Sequence, residues 1–225
     1  MLQFFSGRSQ KRLPFRFIME IAREIANKEP AALISLIKAL LRPLQSERMV
    51  VLTEQSAHDV PRCIDGVSFF FDLVNYLNNE TISRYLVTPT PVITVNLSHD
   101  IVLPTAWDRH RYSRALAYIG AGKQHGAWKQ DTNHRVSVWL PWGIGFVLGG
   151  NHSITSGILS GEGFVTAAEV YDLNPLFDLV ESDGIYYRDR QTQKRLSRVE
   201  DCRRAAVFEI GRLMHQHGVC AFAVQ

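Results

Sequence analysis

Two adjacent glycines, Gly149 and Gly150, stand between an apolar run rich in β-forming residues and a run with helical character. Paired glycines allow a tight turn and a close approach of the backbone to another group. The first turn of a helix leaves several N–H groups unsatisfied and partly positive. Residues 148–154 therefore predict a strand-turn-helix whose backbone can bind a phosphate or another anion. A second interpretation stays open, because Asn151 or Ser153 in such a turn is also typical of an ordinary helix cap.

The composition is that of an ordinary soluble globular protein. With 46% hydrophobic and 21% charged residues in 225, the chain can form one large domain or one domain with an extension. The formal net charge of +3 does not demand nucleic acid as a partner, and it permits an anionic ligand. Cys63, Cys202 and Cys220 are far apart, so neither a disulfide framework nor a cysteine zinc site is indicated. A reducing cytoplasm is therefore the expected compartment.

No targeting segment and no membrane span are expected. Residues 1–17 mix four phenylalanines with basic residues but lack the continuous apolar core of a signal peptide. Residues 31–41 are strongly apolar, yet they are far fewer than the roughly 20 that cross a bilayer, and they include Lys38. They predict a buried helix. The basic, aromatic tip leaves one alternative open, which is contact with a membrane surface or with nucleic acid.

The first third of the sequence predicts helices. Apolar residues recur there at helical spacing, and Pro30 stands where a first helical turn favours proline. Arg42-Pro43 is expected to end the second helix, and Asn78-Asn79 is a candidate break in the third. We predict helices over 15–27, 31–41 and 67–86, with a polar linker over 45–65.

The prolines at 89 and 91 enforce extended backbone and separate this helical region from a segment of mixed character. Strands then alternate with helices. We predict an α/β (α+β) fold, in which a helical region over 1–87 packs on a small mixed sheet within an α/β domain over 88–225. The predicted strands are 92–97, 135–140, 144–148 and 165–173, all in one sheet, and 185–187; the predicted helices are 105–119, 154–159 and 198–217.

The order of isoleucine-rich strand, x-x-Pro, helix, β-hairpin, Gly-x-His, short helix, Gly and strand over 92–173 resembles the ParB/sulfiredoxin-like superfamily. Sulfiredoxin-type members carry a Gly-Gly-Cys-His-Arg loop and other members a Gly-x-His-Arg-like loop, and these loops bind nucleotide phosphates. This chain matches them with Gly149, Gly150 and His152. Asn151 replaces the sulfiredoxin cysteine, so sulfinic-acid reduction is not expected. Ser153 replaces the usual arginine, which is a strong bidentate phosphate donor.

The resemblance implies a second wall of the site at the start of the helix that follows Pro104. Arg109 or Arg111 is expected to replace the missing loop arginine there. A charged first helical turn is also typical of a solvated helix face, and that interpretation stays open. The candidate nucleotide- or phosphate-binding residues are thus Gly149, Gly150, Asn151, His152, Ser153, Asp108, Arg109 and Arg111.

Other site chemistries have no motif in this sequence. It contains no H-E-x-x-H zinc pattern, no G-x-S-x-G nucleophile elbow and no phosphate-binding P-loop, and no metal site is expected. His152 is the candidate catalytic residue, as a general base near neutral pH. The alternative is that its imidazole only hydrogen-bonds the ligand or orients the loop.

The predicted function is binding of a nucleotide, with or without Mg²⁺, or of another phosphate at residues 149–153. One hypothesis is an enzyme of phosphoryl or nucleotidyl chemistry, in which loop amides and an arginine stabilise phosphate charge. The alternative is a non-catalytic module whose ligand switches an interaction with a protein or DNA partner, and a toxin or phage-defence component is a third hypothesis. A DNA partner is not indicated, because the sequence has no helix-turn-helix signal and no long basic stripe.

Overall fold

The computed structural model describes residues 7–54, 64–77, 82–88 and 92–222, with side chains from residue 13 onward. Helices and mixed sheets combine there in an α+β fold, as predicted. None of the helices in these ranges is long and apolar enough to cross a membrane.

Two long helices open the described chain. Helix α1 spans Gly7–Lys28, a 3-10 turn spans Pro30–Ala32, and α2 spans Leu33–Glu54. The first predicted helix is confirmed. The prediction that the second ends at Arg42-Pro43 is wrong, and so is the linker over 45–54, because α2 continues through this proline for eleven more residues.

Packing offsets the cost of Pro43 inside α2. A proline in a helix interior loses a backbone hydrogen bond and costs about 3 kcal/mol. Beyond it, Leu44 and Leu52 are buried on the core side of the helix. The Gln45 side chain is also buried, and its Nε2 donates to the Val102 carbonyl at 2.8 Å. The rest of the predicted linker, 55–63, lies outside the described residues.

The single helix predicted over 67–86 is wrong. These residues instead form α3 (Gly66–Phe69), α4 (Leu73–Leu77), a 3-10 turn (Ser83–Tyr85) and strand β1 (Leu86–Val87). The phenylalanines at 69–71 are all buried, and successive residues of a helix point in directions too far apart for all three to face one side. Asp72 then accepts the N–H of Asn75 at 3.0 Å and begins α4. The candidate break at 78–79 lies outside the described residues.

The main sheet has five strands in the order β1-β7-β4-β5-β3. Its other strands are β3 (Val102–Leu103), β4 (Arg135–Leu140), β5 (Ile144–Gly149) and β7 (Glu169–Asp172). Strands β4 and β5 form the predicted antiparallel hairpin. Because β7 runs parallel to β4 and β3 runs parallel to β5, the sheet is mixed.

Two predicted strands are not placed as expected. The segment predicted over 92–97 contains β2 (Thr94–Asn96), which pairs with β6 (Phe164–Thr166) in a separate two-stranded sheet. The strand predicted over 165–173 is therefore divided between β6 and β7. The division falls where Ala167 donates its N–H to Ile93 and Ala168 donates to Val136, because consecutive residues here bond to two different sheets.

The last part of the chain forms a small sheet and a long helix. Helix α7 (Leu176–Leu179) precedes the antiparallel strands β8 (Val180–Ser182), β9 (Tyr186–Asp189) and β10 (Arg195–Arg198), and α8 spans Cys202–Gln216. The predicted strand over 185–187 is confirmed as part of β9. The predicted helix over 198–217 begins later, because Asp201 caps it by accepting the N–H of Arg203 at 2.8 Å.

The main sheet is buried on both faces. Alternate residues of β4 point to opposite sides, so Val138 packs in one cluster with Ile154, whereas Trp139 packs in another with Phe208. The first cluster includes helix α6 (Asn151–Ser160), and the second includes α1, α2 and α8. A further helix, α5 (Arg109–Tyr118), packs beside α6. This layering places the start of α6 at the edge of the core, next to α5.

Candidate functional site

The predicted strand-turn-helix is present at residues 144–160. Strand β5 ends at Gly149, Gly150 has a left-handed backbone with φ +78°, and α6 begins at Asn151, three residues before the predicted start. Gly150 has no side chain to accept a hydrogen bond from the first turn of α6. The cap residue therefore does not compete with an anion for the N–H groups of that turn.

Packing inside the protein explains both glycines. A Cβ atom on Gly149 would lie 2.6 Å from the Asn133 carbonyl oxygen, and one on Gly150 would lie 2.4 Å from Cδ2 of His134. His134 is buried, and its Nδ1 accepts the N–H of Asp131 at 2.8 Å. The glycines are thus required for the turn to pack on residues 133–134, whether or not a ligand binds.

The side chains of Asn151 and Ser153 hold the turn in place. The Asn151 Oδ1 accepts the N–H of Thr105 at 2.6 Å, which ties α6 to the segment before α5. The Ser153 Oγ and carbonyl oxygen both accept the indole N–H of Trp128, each at 2.9 Å. The Ser153 side chain is therefore engaged in a structural contact to a buried tryptophan.

His152 is bonded in a way that favours an orienting role. Its Nε2 accepts the backbone N–H groups of Asp108 at 3.1 Å and Trp107 at 3.4 Å. Burial lowers the pKa of His152, and the nearby Asp108 carboxylate opposes this effect. A neutral imidazole that accepts at Nε2 carries its hydrogen on Nδ1 and has no free lone pair. The geometry supports the interpretation that His152 orients the loop or donates to a ligand over the interpretation that it is a base.

Asp108 is the cap of α5. Its carboxylate accepts the N–H of Arg111 at 2.7 Å, and this hydrogen bond lowers the pKa of Asp108. The helix predicted over 105–119 therefore begins later, at Arg109, and residues 105–108 remain extended. This extended segment presents the backbone N–H groups that Asn151 and His152 bind.

The two arginines predicted as replacements for the loop arginine point in different directions. The Arg109 guanidinium lies 3.5 Å from the Thr53 carbonyl oxygen at the end of α2. The Arg111 guanidinium lies 5.2 Å from the centre of the Trp107 ring and faces the start of α6. Of the two, Arg111 is the one placed at the mouth of the loop.

A cleft of about 280 Å³ lies between α5 and α6. Helix α5 contributes Arg111, Arg114, Ala115 and Tyr118, the loop and first turn of α6 contribute Gly150, His152 and Ser153, and Ile119, His125 and Asn133 complete the lining. The structure thus brings together four of the predicted residues. The other four, Gly149, Asn151, Asp108 and Arg109, support the cleft or lie outside it.

Arg114, Tyr118 and His125 were not predicted. Arg111, Arg114 and Tyr118 follow one another at helical spacings of three and four, so they share one face of α5. Once Arg111 is known to face the loop, this spacing predicts that Arg114 and Tyr118 face it too. The Tyr118 and His125 rings lie 5.5 Å apart and form an aromatic wall.

The charged side chains that line the cleft are basic. None of the described residues that line it is acidic, and within the described part of the chain Arg111 and Arg114 form no ion pair. The first turn of α6 adds a partial positive charge. The same ranges contain no group of three or more His, Cys, Asp or Glu side chains that could hold a metal ion.

Comparison with known proteins gives one match. No curated protein and no solved structure matches the chain. A family model matches residues 1–220, which is nearly the whole sequence. The chain therefore belongs to DUF6710, a family of unknown function.

Proposed function

We propose that this protein is a binding module for a nucleotide or a related phosphate, and that the ligand binds in the cleft between α5 and α6. One observation carries the proposal: the uncapped first turn of α6, Arg111 and Arg114 line the same cleft, whose described lining has no acidic side chain. Backbone N–H groups and arginines are the donors that proteins use for phosphate oxygens.

In this proposal the phosphate lies against the backbone of the first turn, at Asn151 to Ser153. Arg111 and Arg114 supply the positive charge for the phosphate. In the superfamily this charge comes from the loop arginine, at the position where this chain has Ser153. A charged hydrogen bond of this kind contributes about 1.5–3 kcal/mol, so two arginines give enough energy to offset the missing one.

The remaining wall of the cleft favours a nucleotide over a bare phosphate. Tyr118 and His125 offer ring surfaces that a base can stack on, at the opposite end of the α5 face from Arg111. A volume of about 280 Å³ is at the small end of ligand pockets, and so it favours a mononucleotide. Any Mg²⁺ would be held by the ligand phosphates, since the described lining offers no carboxylate.

The proposal is for binding and not for phosphoryl transfer. The lone pair of His152 is engaged by two backbone N–H groups, so His152 is not poised to take a proton from an attacking water, and the proposal assigns His125 to stacking. A ligand that bridges α5 and α6 would stiffen the exposed surface around Trp107. We propose that a protein partner binds this surface when the ligand is present.

The relation to the ParB/sulfiredoxin-like superfamily is part of the proposal. It is supported by the strand-turn-helix and by the mixed sheet around β4 and β5. The free thiols of Cys202 and Cys220 support the expected reducing compartment.

A thermal-shift screen tests the proposed function. The parent protein and the double variant Arg111→Gln/Arg114→Gln are heated with mono-, di- and triphosphates of each base and with inorganic phosphate, with and without Mg²⁺. A ligand that binds only the folded state raises the melting temperature. We expect at least one nucleotide to stabilise the parent and not the double variant. The absence of any shift at millimolar ligand, or an equal shift in both proteins, would overturn the proposal.

A further inference from the structure

A second cleft lies on the other side of the main sheet, away from α5 and α6. Its volume is about 250 Å³, and it is formed by the turn between α3 and α4, by β9 and β10, and by the start of α8. A wider groove of about 870 Å³ adjoins it and shares Ser197, Arg198 and Glu200 with it.

Polar atoms without partners converge on this cleft. The Tyr187 hydroxyl, the Ser197 hydroxyl and Nε of Arg204 are buried and have no hydrogen-bonding partner in the described ranges. Tyr187 is only 1% exposed. Native proteins satisfy nearly all buried polar groups, so three such atoms around one cleft indicate that something else satisfies them.

The chemistry of the three groups indicates which atoms a ligand must present. Arginine can only donate hydrogen bonds, and both hydroxyls can also donate. The Arg204 guanidinium lies 5.1 Å from the centre of the Phe69 ring, and it forms no ion pair with a described residue. Three donors, one of them an unpaired guanidinium, fit the oxygens of a carboxylate.

The acidic residues at the rim are engaged elsewhere or exposed. Asp72 accepts hydrogen bonds from Asn75, and Asp201 accepts the N–H of Arg203 as the cap of α8. Glu200 is exposed to solvent. The floor of the cleft is formed by the buried phenylalanines at 69–71, so an apolar ligand body fits it better than a polar one.

We propose that this second cleft binds a small carboxylate with an apolar or aromatic body. The carboxylate accepts from Tyr187, Ser197 and Arg204, and the body packs on the phenylalanine floor. This site is independent of the proposed nucleotide site, because the two clefts share no lining residue.

Affinity measurements with matched probes test the proposal. We choose phenylacetate and L-phenylalanine as carboxylates and phenylacetamide as the neutral control. At least one carboxylate should bind the parent, and phenylacetamide should bind at least tenfold more weakly. The variant Arg204→Met should lose the carboxylate, while Arg111→Gln/Arg114→Gln should keep it. If neither carboxylate binds, or if the amide binds equally well, the proposal fails.

Tyrosine-to-phenylalanine variants separate a ligand group from a structural one. Tyr187→Phe should leave the melting temperature of the ligand-free protein unchanged or raise it, while it weakens carboxylate binding. Tyr112→Phe is the control, because that buried hydroxyl donates to the Met49 carbonyl at 2.7 Å; it should lower the melting temperature and leave binding unchanged. A lower melting temperature for Tyr187→Phe with unchanged binding would assign its hydroxyl to the fold and overturn the proposal.

Discussion

The two clefts differ in how their polar side chains are used. In the first turn of α6, Asn151, His152 and Ser153 all bond to groups inside the protein, whereas the arginines of α5 that line the cleft form no ion pair with a described residue. In the cleft beside α8, the Tyr187 hydroxyl and Nε of Arg204 are buried and have no hydrogen-bonding partner among the described residues. The difference teaches that the side chains of a motif can hold a turn in shape, and we propose that residues outside the motif contact the ligand.

The largest effect should come from filling the turn. Gly150→Ala places a Cβ against His134 and also imposes a left-handed backbone on alanine. We therefore expect the free energy of unfolding to decrease by about 3 kcal/mol. Gly122→Ala is a matched control, since Gly122 has φ +76° and an added Cβ would have nothing within 4 Å. The free energy of unfolding of this variant should decrease by only about 1 kcal/mol. Urea unfolding measures both. Equal losses would contradict the role of the contact with residues 133–134.

A smaller effect should come from the side chains that hold the loop. Asn151→Ala leaves the buried N–H of Thr105 without an acceptor, so we expect the free energy of unfolding to decrease by about 2 kcal/mol. Ser153→Ala should cost less than about 1 kcal/mol, because the indole N–H of Trp128 keeps the Ser153 carbonyl as an acceptor. The same unfolding measurement applies. A larger loss for Ser153→Ala than for Asn151→Ala would show that the loop is held mainly by Trp128.

The smallest stability effect should be a pH dependence. Because burial lowers the pKa of His152 in the folded state, the unfolded chain binds the proton more readily. Stability is then constant above the ordinary histidine pKa of about 6.5 and falls as the pH decreases from there towards the lowered pKa. His152→Gln removes the imidazole that binds this proton. The free energy of unfolding of the variant should therefore fall less steeply than that of the parent between pH 7.5 and pH 5.5. Identical slopes for parent and variant would contradict the bonding described for Nε2.

Local signals made part of the fold and the site predictable. The hairpin of β4 and β5 and the start of α6 follow from short-range features, namely two apolar runs, the turn at 141–143 and the paired glycines. Gly150 and His152 of the cleft could be predicted for the same reason, whereas Arg111 was expected only from the superfamily resemblance, which left Arg109 as an alternative.

The remainder depends on tertiary contacts. Pro43 lies inside a helix because buried residues beyond it, with Gln45, offset its cost. The division of the strand predicted over 165–173 depends on which strands lie beside residues 167 and 168. Arg114 could not be assigned before the orientation of α5 was known, and the unpartnered atoms of the second cleft come from segments far apart in the sequence.

The central claim is that arginines of α5, and not the side chains of the loop, bind the anion. Calorimetric titration with the nucleotide that stabilises the parent most tests it directly, using single variants of Arg111, Arg114, Arg109 and Ser153. Arg111→Gln and Arg114→Gln should each weaken binding by about ten- to a hundredfold. Arg109→Gln, on the same helix but directed towards Thr53, and Ser153→Ala should leave the affinity nearly unchanged. A loss confined to Ser153→Ala, or an equal loss for Arg109→Gln, would contradict the claim.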